Sequence, residues 1–466
     1  MTSRSTPVAA IAALAVAVLL SACASSTKPS HTPKPSTTHS TPLTVSPPPT
    51  TSSSAGSLPL KYAKCMRAHG LPTFPDPVDG HITLNPSSGI SPDSPTFAAA
   101  AKVCAKYGPA GGASPGRGPV PAADGGGSNV AAVTQATWDQ YANWLGQQAT
   151  AGQFSGAVLV AHGDRTMLDA GYGFANRTTR TPNSPQTLFC IASIGKLFTA
   201  VAIGQLAEQH KLSFDAPVGR YVSGLPARIA DHVTIGQLLD MTSGLDNVVL
   251  GRANPPRTLG GMVALIAAEP LQFSPGTKTL YSNDGFILLG AVVQRLSGER
   301  YSDYLRQHIL NPAGMTHTGY ATYTPEQVPG MAHGYALVGS RLEDISGQPQ
   351  IANPSGGAYA TTGDLHNLGR ALLQHKLLSA AMTATILAPR VNAPQPGGPP
   401  VDEFTYGFVY QAINHVAFVG HNGGTPGYTD QIDIYPHGGY VVVILTNEDG
   451  TLVPAIQRSE QILTGS

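Results

Sequence analysis

Two stretches of this 466-residue chain cannot build a packed core, and between them they dictate where folded structure is possible. From residue 24 to residue 57 nearly every side chain is Ser, Thr or Pro, so burial cannot offset the entropy lost on ordering. Residues 108–129, rich in Gly, Pro and Ala, form a second interruption. What remains is a short unit at 58–107 and a large one at 130–466, long enough for a substantial core. The first stretch, bounded at 23–57, reads as a tether. Extended as polyproline II at about 3.1 Å per residue, it reaches on the order of 100 Å.

Ahead of the tether, Arg4 is followed by an uninterrupted apolar run over residues 8–20. The run is shorter than the roughly 20 residues a bilayer requires, which makes 1–22 a targeting segment rather than a span. It ends in Leu20-Ser21-Ala22-Cys23, which resembles a bacterial lipobox, where the cysteine is acylated and becomes the mature N-terminus. That resemblance implies an extracytoplasmic protein held to the cell membrane by lipid on Cys23. An ordinary signal peptide with a chance cysteine is the other reading, and it too exports the chain.

With Cys23 assigned to lipid and Cys190 inside the large unit, Cys65 and Cys104 are left as a natural pair. Export makes a disulfide chemically reasonable. Closing such a loop stabilises a small unit by about 4 kcal/mol on the chain-entropy estimate. Two free thiols are the alternative. Cys190 is expected to be a buried thiol. Lys plus Arg and Asp plus Glu both total 27, so no net charge gathers nucleic acid, and none is expected as a partner.

In the short unit, the segment from Lys61 to Gly70 and the stretch 97–107 suggest two short helices joined by Pro-rich loops. It looks like small segments of actinobacterial exported lipoproteins, a likeness that carries no activity. His69 reads as a surface histidine in preference to a ligand. In the large unit Trp138, Tyr141 and Leu145 share a helical face, as in an opening helix packed on a sheet. Residues 157–161 and 165–170 read as a hairpin, 415–420, 431–435 and 440–446 as late strands, and 453–463 as a closing helix beside the opening one.

The chemistry concentrates at Ser193-Ile194-Gly195-Lys196, which opens a segment whose Leu197, Phe198, Val201 and Leu206 form an apolar helical face. Residues three apart share a face, so the Lys196 amine can lie beside the Ser193 hydroxyl at a helix N-terminus that favours negative charge. A serine nucleophile needs that geometry. The same spacing recurs at Ser25 and Lys28 inside the tether, so the pattern alone decides little. Only Ser193 has ordered partners downstream: Tyr281-Ser282-Asn283, then His421-Asn422-Gly423-Gly424. Taken singly, Tyr281 reads as a core aromatic, Asn283 as a helix cap and His421 as a strand-end histidine.

Together with Met241-Thr242-Ser243-Gly244-Leu245, Phe273-Ser274-Pro275-Gly276, Asn311-Pro312-Ala313-Gly314-Met315 and Gly356-Gly357, these motifs resemble the class C beta-lactamase and D-alanyl-D-alanine carboxypeptidase family. The likeness covers about residues 153–463. It implies an α/β architecture of the beta-lactamase and penicillin-binding transpeptidase type: an antiparallel sheet flanked by helices, with an all-helical subdomain inserted between the helix after Ser193 and the last strands. It also implies that Ser193 forms an acyl-enzyme, that Lys196 and Tyr281 manage the proton, and that Asn283, His421 and Gly423 meet the substrate. The backbone N–H groups of Ser193 and Gly424 would form the oxyanion hole. Unperturbed Lys and Tyr ionise near about 10.4 and about 10, so bringing the lysine to pH 7 takes about 4 to 5 kcal/mol. Burial and a neighbouring cation can supply shifts of that order.

One position departs from the family pattern. True beta-lactamases carry Lys-Thr-Gly on this strand, and here His421 stands in place of that lysine. A permanent cation gives way to a group expected to titrate near neutrality. That weakens the case for a carboxylate-bearing beta-lactam and leaves ester, amide and D-amino-acid peptide substrates, small or derived from peptidoglycan. A beta-lactamase and a non-catalytic penicillin- or peptidoglycan-binding sensor are the competing readings. An alpha/beta-hydrolase elbow at Gly112-Ala113-Ser114-Pro115-Gly116 fails because no apolar strand precedes it. None of the fifteen histidines lies in a HExxH arrangement, and no metal or organic cofactor is expected. Pocket shape is expected to depend on the loops at 248–259 and 393–403.

Overall fold

The computed structural model describes residues 58–69, 103–104, 130, 133–252, 254–339, 341–392 and 403–465. The targeting segment 1–22, Cys23, the tether 23–57 and the loop at 393–402 lie outside the described residues, as do the whole 108–129 linker and all of the 97–107 stretch except 103–104. The chain divides into two compact units with the boundary between Gly116 and Arg117.

In the first unit, helix α1 spans Leu58–Ala68. It buries Ala63 and Met66 and carries Cys65, which is bridged to the buried Cys104. The exposed His69 lies close to both sulfurs, but these are bonded to each other and offer no thiolate to a metal.

The second unit is built on an eight-stranded antiparallel sheet. Helix α2 (Gln135–Thr150) leads into strands β1 (Gly156–His162) and β2 (Arg165–Tyr172). Strand β3 (Phe189–Ala192) delivers the chain to a short 3-10 turn, Ser193–Gly195, and helix α3 (Lys196–Glu208). Helices α4 (Leu259–Ala268) and α5 (Asn283–Ser297) follow, then strand β4 (Ala358–Ala360), which pairs with β3. The chain returns through helix α6 (Thr362–Leu373), β5 (Val391–Asn392), β6 (Glu403–Phe404), β7 (Val409–Ile413), β8 (Val416–Thr425), β9 (Tyr428–Tyr435), β10 (Tyr440–Thr446) and helix α7 (Leu452–Thr464). The sheet order is β2-β1-β10-β9-β8-β7-β6-β5.

Helices cover both faces of this sheet, which is why β10 is apolar and buried at nearly every position rather than alternating. Val441, Val443 and Leu445 enter one core with α3 and α5, while Tyr440, Val442 and Ile444 enter the other with Trp138, Tyr141 and Leu145 of α2 and Leu452, Ala455 and Leu463 of α7. The Tyr141 hydroxyl donates to the Ala455 carbonyl at 2.8 Å, joining the opening helix to the closing one.

Three elements differ from the sequence reading. Helix α3, read as having one apolar face, is buried all round apart from Gln205, Ala207 and Glu208, because sheet and inserted helices enclose it. The strand read as ending at Gly420 continues to Thr425, its glycines notwithstanding, since residues 419–425 pair in register with β9. The insertion between α3 and the last strands is helical at first but also carries a hairpin, Tyr335–Val338 with Arg341–Asp344, and strand β4.

Candidate active site

The site begins with a backbone contortion. Ala192, the last residue of β3, has φ 39° and ψ −124°, a conformation that costs a residue with a Cβ on the order of 1–3 kcal/mol. Its carbonyl accepts the N–H of Gly357 at 3.2 Å, and a Cβ on Gly356 would lie 2.4 Å from that same oxygen. The two glycines therefore let the backbone come close enough to hold Ala192 in place. The outcome is a half-buried Ser193 standing at the entry of α3.

Lys196 is fully buried. Its Nζ lies 2.6 Å from Asn283 Oδ1, 2.8 Å from the Ser355 carbonyl and 3.1 Å from Ser193 Oγ. The rings of Tyr281 and Phe286 flank it, their centroids 4.7 and 5.5 Å from Nζ. Burial pushes the amine well below its ordinary pKa with no help from a neighbouring cation. Tyr281 moves the opposite way: burial raises its phenol, and a hydrogen bond with Ser193 only partly offsets that. The two candidate bases are thus driven apart, the lysine toward a neutral amine and the tyrosine toward a neutral phenol.

The turn that presents Tyr281 and Asn283 precedes α5. Its helix cap is Ser282, not Asn283: Ser282 Oγ accepts from the Gly285 N–H at 3.0 Å. The Asn283 side-chain oxygen is instead engaged by Lys196. Two contributors have no motif of their own in the sequence reading. Ser355 acts through its main-chain carbonyl, a role open to any residue type, and its only local signal is the adjoining Gly356-Gly357 pair. Asn247 lies shortly after the Met241-to-Leu245 motif and bonds to both flanks of Ser282.

Strand β8 packs against the Ser193 turn. A Cβ on Gly423 would lie 2.5 Å from the Ile191 carbonyl, so this glycine is the condition for bringing β8 backbone-to-backbone against β3. The next residue, Gly424, is exposed and has no atom within 4 Å of where its Cβ would be.

His421 corrects the expectation of a group titrating near neutrality. It is 2% exposed, and burial lowers its pKa to about 3, protonation of Lys196 acting in the same direction. Nδ1 lies 2.5 Å from the Asn422 carbonyl and so carries the proton, while Nε2 is buried without a partner. His421 is a neutral imidazole wherever Lys-Thr-Gly proteins would hold a cation. Cys190 is buried too, and its thiol is raised to about 11.

The chain matches the family described as Beta-lactamase over residues 97–465. Penicillin-binding protein 4* of Bacillus subtilis (strain 168) is 29% identical over 337 residues, covering 67% of this chain and 73% of that protein. The crystal structure of a penicillin binding protein from Bacillus halodurans aligns with TM-score 0.61 at 32% identity, over 68% of this chain and 98% of that one. A D-amino acid amidase from Ochrobactrum anthropi SV3 shares the fold, with TM-score 0.63 at 22% identity over 70% and 97% of the two chains. By the reach of the family match and by its fold, this chain belongs to the beta-lactamase family, with the mixed α/β architecture of the penicillin-binding proteins.

Proposed function

We propose that this chain is an extracytoplasmic serine hydrolase that works through a Ser193 acyl-enzyme on an ester, amide or D-amino-acid peptide. One observation carries the reading: a fully buried Lys196 with two acceptors and one hydroxyl around its nitrogen. A neutral amine has two N–H groups and one lone pair. The carbonyls of Asn283 and Ser355 can only accept, so they take the two N–H groups and leave the lone pair facing the Ser193 O–H. Lys196 is then the base that removes the Ser193 proton as Oγ attacks the substrate carbonyl.

The proton then moves on. Tyr281, kept protonated by burial, donates to the departing group as the acyl bond to it breaks, and regains a proton from Lys196. In the second half-reaction water gives a proton to the same lysine as it attacks the acyl carbonyl; the bond to Ser193 Oγ then breaks, freeing the acid, and Oγ takes that proton back from Lys196. Negative charge on the tetrahedral oxygen meets the N–H groups of Ser193 and Gly424, a donor pair whose loss of one member costs about a hundredfold or more.

The neutral His421 supports the choice of substrate. A carboxylate entering beside β8 finds no cation at the position of His421, since a buried imidazole whose pKa is lowered to about 3 does not become one near pH 7. Neutral esters and amides carry no such requirement. The apolar run that ends at Cys23 supports export and a lipid anchor at that residue.

The test uses the full chain with a fluorophosphonate probe, then nitrocefin, short-chain p-nitrophenyl esters and D-Ala-D-Ala peptides, with Ser193→Ala as control. Labelling at Ser193 and ester or peptide turnover are expected. No labelling under conditions where a related hydrolase reacts would make the chain a binding module. Nitrocefin hydrolysis rivalling that of the esters would overturn the substrate preference.

A further inference from the structure

The loop that follows the Met241-to-Leu245 motif is stitched into the turn that presents Tyr281 and Asn283. Ser282 Oγ donates to the Asp246 carbonyl at 3.0 Å, and the buried carboxylate of Asp284 accepts the N–H groups of Val248 and Val249 at 2.8 and 3.3 Å. Met241, at φ 64°, offers its sulfur to the Ser282 N–H at 3.3 Å. Among these contacts one side chain differs from the rest. Asn247 Oδ1 accepts the Asn283 N–H at 2.6 Å, and its Nδ2 donates to the Tyr281 carbonyl at 2.8 Å. A single amide thus spans Ser282 and bonds the backbone of Tyr281 and Asn283, the two residues of this turn that approach Lys196.

We propose that Asn247 is a positioning residue of the site, setting Tyr281 against Ser193 and Asn283 against Lys196 through their backbones. The inference rests on the hydrolase reading above. An amide fits the task because it offers one acceptor and one donor side by side. Leucine, of similar shape, has neither, and an ionised aspartate has the acceptor without the donor. Asn247 is half-buried and lies beside the loop expected to shape the pocket, so whatever moves that loop moves both residues on Lys196. The Asn283 oxygen takes one of the two amine N–H groups, so its displacement also releases the orientation of the Lys196 lone pair.

The test compares Asn247→Leu and Asn247→Asp with the wild type in the full chain, using p-nitrophenyl butyrate turnover, fluorophosphonate labelling and thermal melting. Misplacing reacting groups by an ångström costs up to about a hundredfold, so the leucine variant is expected to lose about ten- to a hundredfold in kcat with KM within about threefold. The aspartate variant is expected to be impaired at neutral pH and to recover relative to wild type as the pH falls, because the protonated acid regains the donor for Tyr281. A purely structural role would give losses that follow the melting temperature, with no such recovery. An unchanged kcat in Asn247→Leu, or a loss confined to KM, overturns the proposal. A crystal structure of Asn247→Leu separates the two readings: should the wild type neither label nor turn over, the hydrolase reading falls. Even then, a displaced Tyr281–Asn283 turn supports positioning by Asn247, and an unmoved turn refutes it.

Discussion

Lys196 and His421 are both basic groups buried beside Ser193, and burial disfavours the charged form of both, yet their surroundings differ. Lys196 has three polar neighbours that use each direction of its nitrogen. His421 has one, a carbonyl of the next residue, and its other nitrogen has none. Desolvation alone therefore does not make a base. What distinguishes the lysine is that two acceptors lie within hydrogen-bond distance of its nitrogen, which on the proposed mechanism leaves the lone pair to the Ser193 hydroxyl. The histidine, as a neutral filler, puts no cation at its own position on this strand.

The sharpest way to break this contrast is to remove each group. Lys196→Met is expected to lower acylation of Ser193 by about a hundred- to ten-thousandfold, measured as the rate of fluorophosphonate labelling. His421→Asn should leave the acid limb of the pH–rate profile where it is in the wild type, because the proposed mechanism assigns that limb to Lys196. A limb that shifts or vanishes in the histidine variant would return the titrating role to His421.

Strand β8 supplies a second, smaller contrast. Gly423→Ala would put a methyl 2.5 Å from the Ile191 carbonyl, forcing β8 away from β3. Turnover should drop by about ten- to a hundredfold if the N–H of the next residue is the oxyanion donor proposed above. Gly424→Ala meets nothing within 4 Å, and its melting temperature should match the wild type. Equal destabilisation by the two would contradict the close approach at Gly423.

The smallest effect is thermodynamic. His421 binds a proton in the unfolded chain below its ordinary 6.5 but in the fold only below about 3, so the unfolded state holds more protons between those values. Stability should fall as pH drops through that window, with His421 contributing up to about 1.4 kcal/mol per pH unit. Urea unfolding at pH 7 and pH 5 should show a shallower loss in His421→Asn than in wild type. Buried Asp430 and Asp433, both raised, act with the opposite sign, so the difference between the two proteins is the quantity to read.

Much of this was legible in the chain because it is local. Lys196 stands beside Ser193 because residues three apart at a helix start share a face. The hairpin of β1 and β2, the opening and closing helices and the late strands follow from apolar period and turn residues. What is read in sequence as a motif is a set of side chains. Ser355 contributes a carbonyl, Asn247 works through other residues' backbones, and Ala192 contributes a strained conformation, so none leaves a pattern of residue types.

By itself, then, the order of residues determined which side chains could do the chemistry and which segments could pack around them, because periodicity and composition act over a few neighbours. Only the tertiary structure decided their charge. The pKa of Lys196, Tyr281 and His421 depends on how much water distant segments exclude and which acceptors they supply, and those segments meet only when β3, α3, α5 and β8 close on one another. The same histidine that reads in the chain as titrating near neutrality is neutral in the fold, because Nε2, where a second proton would go, is buried with no acceptor beside it.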